Sequence, residues 1–110
     1  MEVARDVRRG DVFLIDLNPT RGAEIQTRPC LVVSPDELNA HLRTVIVAPL
    51  TTGGRPYPFR VACSFRGRRG HVVLDQIRTV DRDRFARHLD RLAPGTLRKV
   101  LNVLQEMFAP

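Results

Sequence analysis

The chain has 110 residues and a formal charge of +6 at pH 7. That length suits one domain spanning residues 1–110, too small for two cores. The positive balance favours polyanionic partners, of which nucleic acid is the commonest.

Seventeen of the eighteen basic residues are arginine. Arginine grips phosphate bidentately where lysine acts as a point charge, although arginine-rich codon usage produces the same ratio. The first six residues carry charge without an apolar stretch behind it, so no signal peptide is expected. No apolar run approaches the ~20 residues of a membrane span, and no membrane partner is expected. Gly10-Asp11 leads into a first strand, Val12 to Leu17, ending at the turn signal Asn18-Pro19. Residues 20–28 are polar and read as a long loop over one face. Leu31 to Ser34 reads as a second strand. Ser34 followed three positions later by Glu37 has the capping-box spacing for a helical turn, and Thr44 to Leu50 forms a third strand.

Residues 51–58 hold two glycines and two prolines, a second candidate site loop. Phe59 to Cys63 and His71 to Leu74 flank the segment 64–70, the pattern of a hairpin with a basic tip. Ile77 to Val80 is a short strand, Asp81 caps a helical turn reaching Phe85, and His88 to Leu92 is a last strand. Pro94-Gly95-Thr96 then opens an amphipathic helix with Leu97, Val100, Leu101, Leu104, Met107 and Phe108 on one stripe. Many short strands followed by one helix predict a mainly β fold, a curled sheet or small barrel flanked by a helix. Cys30 and Cys63 are too few for a disulfide scaffold and sit in apolar runs as small hydrophobes, which predicts a reduced, cytoplasmic protein.

If the second and third strands pair as a hairpin between Ser34 and Thr44, Pro29 falls opposite Leu50, and Arg28 and Thr51 come next outward. An arginine beside a hydroxyl in a basic protein suits a phosphate, though the same residues also serve as a solvated flank and a turn. Arg66, Arg68 and Arg69 at the hairpin tip offer further phosphate contacts. His41, His71 and His88 are scattered over different elements; each could serve as acid or base in RNA cleavage, yet none has a partner at diagnostic spacing. No His, Cys, Asp or Glu cluster has metal-ligand spacing, and no phosphate loop or dinucleotide fingerprint is present. Neither a metal nor another cofactor is expected.

Arg9-Gly10-Asp11-Val12-Phe13, Asp16-Leu17-Asn18-Pro19, Gly22-Ala23-Glu24-Ile25, Arg28-Pro29-Cys30-Leu31-Val32-Val33-Ser34, Ala48-Pro49-Leu50-Thr51-Thr52 and the run from Leu74 to Asp81 stand in the order found in the MazF/PemK family of toxin endoribonucleases. From about residue 8 to 108 the chain resembles that family. The resemblance implies an SH3-like barrel with a C-terminal helix, a homodimer, cleavage of single-stranded RNA such as mRNA, and neutralisation by a cognate acidic antitoxin. It implies that Arg28 and Thr51 are catalytic. It places Glu24 and Gln76 near the substrate groove and Gln26 and Thr27 in a loop beside RNA, with Thr52 adjoining the catalytic pair. The expected chemistry is metal-independent, with the substrate 2′-hydroxyl as nucleophile. Competing expectations are a toxin that inhibits a protein target such as DNA gyrase, as CcdB-type proteins do, and a non-catalytic RNA-binding module.

Overall fold

In the computed structural model, which describes residues 6–18 and 26–110, strand β1 spans Asp11–Asp16. Its Val12, Phe13 and Ile15 are all buried, although successive residues of a strand face opposite sides. Such a strand needs cover on both faces. β1 lies between β2 (Thr27–Val32) and β7 (Phe85–Arg91). Beyond β2 comes β3 (Thr44–Thr52), whose first half pairs on its far side with β6 (Arg78–Asp81) and whose last three residues pair with β5 (Arg68–Val73). Strand β4 (Arg60–Phe65) lies beyond β5, giving an antiparallel order β4-β5-β3-β2-β1-β7 with β6 beside β3. The sheet is mainly β and strongly curled as expected, compatible with an SH3-like barrel, but β4 and β7 are not paired and the barrel is not closed.

Two apolar clusters cover the two faces of this one sheet. One gathers Val12, Leu31, Ala48, Leu50 and Val72 under Val100 of helix α2 (Pro94–Phe108). The other gathers Phe13, Ile15, Cys30, Val32, Val47 and Phe85, with the Phe13 and Phe85 rings edge to face at 5.0 Å. Pro94 stands in the first turn of α2, where its missing N–H costs nothing. Gly10, at φ +99°, leads into β1 where an added Cβ would lie 2.9 Å from Leu97 of α2.

Three local expectations need correction. Strand β2 starts at Thr27 rather than Leu31, because Thr27, Arg28 and Pro29 pair with Asp16, Ile15 and Leu14 of β1. Ser34 does not cap the short helix α1 (Asp36–His41); Pro35 is the N-cap and makes no side-chain cap bond. The buried Ser34 hydroxyl instead donates to Asn39 Oδ1 at 2.5 Å and accepts from the Ile46 N–H at 3.1 Å, pinning α1 to β3. The β4–β5 turn is only Arg66-Gly67, both at positive φ (49° and 75°) as a two-residue hairpin of this twist requires. Arg68 and Arg69 therefore belong to β5 and point to opposite faces. The capped turn at Asp81 is present: its carboxylate accepts from the Asp83 N–H in a 3-10 turn, Arg82–Arg84.

Candidate active site

The β2–β3 ladder pairs Cys30 with Pro49, Leu31 with Ala48 and Val32 with Val47. Continued outward, this register sets Pro29 level with Leu50 and Arg28 level with Thr51. Thr51 in turn faces His71 of β5, His71 faces Ala62 of β4, and on the other side Arg28 faces Ile15 of β1, which faces Phe85 of β7. One transverse row thus crosses six strands as Phe85, Ile15, Arg28, Thr51, His71 and Ala62. Directly paired residues share a face, so an arginine, a hydroxyl and an imidazole stand side by side where the flanking positions are apolar.

Two prolines shape this row. On β2 the Val33 N–H bonds the Ile46 carbonyl of β3, so by the two-residue alternation position 29 is where an N–H would reach the Leu50 carbonyl. Pro29 has none. The Arg28 guanidinium donates to that carbonyl instead, Nη2 to O at 3.3 Å. Pro49 faces the other side of β3, in the gap between the β6 and β5 ladders, where no partner strand needs its donor. By the same alternation Arg28 and Thr51 form a pair that exchanges no backbone bonds, the closer kind, with Cα atoms ~4.5 Å apart.

Beneath Arg28 lies Cys30, whose thiol is pushed up to about 12 by burial, partly offset by the nearby cations of Arg28 and Arg78. Arg78 pairs with Val47 and so shares the face of Cys30 and Arg28. It is a second cation at the site that sequence reading did not single out, since its place depends on β6 joining β3. His71, one of three histidines the sequence offers as an acid or base, is brought into the row by the β3–β5 pairing. Its Nδ1 lies 2.9 Å from the Gly53 carbonyl, and it lines an open cleft of about 490 Å³ with Gly53, Gly54, Ser64 and Arg69.

The remaining sequence candidates divide between two faces. Arg69 shares the His71 cleft. Arg66, Arg68 and Thr52 line a separate groove of about 560 Å³ on the opposite face, together with Arg87, Leu14 and Pro29. Thr52 of this groove is followed directly by Gly53 of the His71 cleft, and Thr51 and Thr52 point to opposite sides of β3. Thr27 is half-buried opposite Asp16, Gln26 is exposed just before β2, and Gln76 is exposed in the 3-10 turn after β5. Glu24, with most of the expected loop over residues 20–27, lies outside the described residues. Among the described residues, no three His, Cys, Asp or Glu side chains gather as a metal-ligand group, and no helix is long and apolar enough to cross a membrane.

The family model described as a PemK-like, MazF-like toxin of type II toxin-antitoxin system matches residues 8–108. The chain is 39% identical over 106 residues to the endoribonuclease PemK of Escherichia coli, across 90% of this chain and 80% of that protein. It is 32% identical over 105 residues to the endoribonuclease MazF of Staphylococcus epidermidis, across 89% of this chain and 88% of that protein. Among solved structures it resembles an endoribonuclease in complex with its cognate antitoxin from Mycobacterial species, with a TM-score of 0.80 and 28% identity over 96% of this chain and 98% of that one.

Proposed function

This chain belongs to the PemK-like, MazF-like toxin family of type II toxin-antitoxin systems, and from that premise we propose that it cuts unpaired cytoplasmic RNA by metal-independent attack of the substrate's own 2′-hydroxyl. The observation that carries this reading is the fixed Arg28 guanidinium set level with Thr51. A guanidinium stays protonated at neutral pH and is a poor base. Arg28 therefore binds the non-bridging phosphate oxygens and stabilises the charge that builds on them in the pentacoordinate transition state. Arg78 adds a second positive charge on that face. Thr51 aligns the 2′-hydroxyl or donates to the phosphate; the attacking oxygen is the substrate's own O2′, so no covalent intermediate forms on Thr51. O2′ bonds to phosphorus as the P–O5′ bond breaks, leaving a 2′,3′-cyclic phosphate and a 5′-hydroxyl.

Unpaired RNA suits the shape because a single strand can bend round the end of β3 and lay phosphates against both basic grooves. The same positive grooves suit an acidic antitoxin segment that orders on binding. The second partner is another copy of the chain: Phe108 ends α2 at 70% exposure, beside the half-buried Leu104 and Met107 that rim the helix-covered core. Sedimentation should give a dimer mass that Phe108→Glu lowers to a monomer.

The experiment is incubation of the purified protein with a long single-stranded RNA in EDTA, followed by end mapping. Discrete cuts ending in cyclic phosphate are expected, and RNA with a 2′-methoxy group at the cut position should stay whole. Intact RNA, or cleavage that requires added metal, would overturn the mechanism.

A further inference from the structure

Arg28 and Thr51 by themselves leave the 2′-hydroxyl without a proton acceptor: one is a permanent cation, the other a neutral hydroxyl. His71 stands next in the same row. Its pairing with Thr51 is one strand step wide, Cα atoms ~5.5 Å apart. The Gly53 carbonyl that Nδ1 meets at 2.9 Å can only accept a hydrogen bond, so Nδ1 carries the proton. In the neutral ring Nε2 then holds a lone pair. Gly53 and Gly54, both at positive φ, carry the chain over the imidazole and place that carbonyl. The cleft they line is within the ~300–1,000 Å³ range of ligand sites.

We propose that His71 is the general base of the cleavage reaction, taking the 2′-hydroxyl proton on Nε2. This role rests on the ribonucleolytic reading above. As O2′ bonds to phosphorus its O–H bond breaks and the proton passes to Nε2, giving an imidazolium. The P–O5′ bond breaks, O5′ takes a proton from solvent water, and the imidazolium returns its own to solvent after the cyclic phosphate leaves. Charged and titratable groups lie around the imidazole. Arg69 shares its strand and face, Arg28 lies two strands away in the same row, and Cys63 of β4 is a thiol whose ionisation burial opposes. The carboxylate of Asp75, in the 3-10 turn after β5, is already held by Arg60 of β4 at 3.1 Å.

The test is single-turnover cleavage from pH 5 to 9 with wild type and His71→Asn. The asparagine amide can still donate to the Gly53 carbonyl, preserving the local fold while removing the base. Wild type should show an acid limb in which the rate rises tenfold per pH unit. His71→Asn should lose that limb and ~10²–10⁴ of the rate, with unchanged affinity for 2′-methoxy RNA. On RNA with a 5′-bridging sulfur, whose leaving group needs no proton, the defect should persist.

Wild-type rate and profile in His71→Asn, a wild-type profile without an acid limb, or rescue by the sulfur leaving group would each overturn the assignment. The first result, together with an inactive Arg28→Ala, would leave the ribonuclease reading standing and remove only His71. Wild type that leaves all RNA intact would remove both.

Discussion

Replacing Arg28 by lysine keeps the charge and removes the fork, so it separates electrostatics from geometry. Arginine has five N–H donors, and one of them is committed to the Leu50 carbonyl. If two of the others meet phosphate, and each aimed donor contributes about 10²–10³ in rate, Arg28→Ala should cost roughly 10⁴–10⁶. Arg28→Lys retains a cation and one donor and should cost about 10²–10³. The fold also loses a bond, because the Leu50 carbonyl receives no N–H from Pro29 and its residue is 2% exposed. Leaving that buried acceptor without a donor costs ~1–3 kcal/mol, a fall in Tm of about 4–13 °C for a domain of this size. Against a total stability of ~5–15 kcal/mol, well over nine-tenths of the variant remains folded at 25 °C. Unfolding therefore cannot account for a hundredfold rate loss. The assay is single-turnover cleavage of a labelled RNA in EDTA, with affinity measured separately on 2′-methoxy RNA and Tm by calorimetry. Arg28→Lys cutting within threefold of wild type would refute the reasoning, as would a rate loss matched by an equal loss of affinity.

Thr51→Ala should lower the single-turnover rate while leaving RNA affinity within a few-fold; a fall confined to affinity would make Thr51 a binding residue only. Gly70→Ala should cost at least ~3 kcal/mol in urea denaturation, because the added Cβ would lie 1.7 Å from the Thr51 carbonyl oxygen, a backbone atom that cannot swing aside; an unchanged midpoint would contradict the close approach of β5 and β3. The Asp90 carboxylate accepts from the Arg66 and Arg91 N–H groups, the Arg66 bond being the main cause of its depressed pKa. A carboxyl depressed on folding contributes stability above its unfolded pKa and loses it as pH falls through the lower folded value. Asp90→Asn should accordingly show a shallower loss of stability on acidification than wild type. The Cys30 thiol, held at about 12 against an ordinary 9.0, stabilises the fold up to the unfolded value and loses that contribution as pH climbs through the folded one. At pH 8 native Cys30 should react with iodoacetamide only as fast as the protein globally unfolds, which mass spectrometry after timed quenching would read.

The pairing of Arg28 with Thr51 is legible in the sequence because one hairpin closure determines every opposed pair, and the apolar runs around Cys30 and Val47 leave little freedom of register. His71 is not legible in that way. Its place opposite Thr51 depends on a ladder joining segments twenty residues apart, fixed by Gly70 lying close against the β3 backbone. Arg78 depends similarly on β6 taking up the first half of β3 after β5 has taken the end. The split of Arg66 and Arg68 from Arg69 turns on a two-residue turn where the sequence suggested a seven-residue tip, since each residue moved from loop to strand acquires a defined face. Ser34 shows the converse: its spacing to Glu37 suggests a backbone cap, yet its hydroxyl bonds the Asn39 side chain inside α1 and the Ile46 N–H of β3.

Pro29 links the fold to the chemistry. A proline inside a sheet ordinarily leaves a carbonyl opposite it without a donor, and a buried carbonyl without a donor costs ~1–3 kcal/mol. A free arginine side chain, for its part, loses ~2 kcal/mol of rotamer entropy when a substrate fixes it. The bond from Arg28 to the Leu50 carbonyl answers both needs. It supplies the donor that Pro29 lacks, and it holds the guanidinium beside Thr51 before RNA arrives. The ordering cost is then met during folding, where it is offset by satisfying the carbonyl, rather than at the moment of binding. Arg-Pro, which read as a strand flank, is on this account the device that preorganises the site.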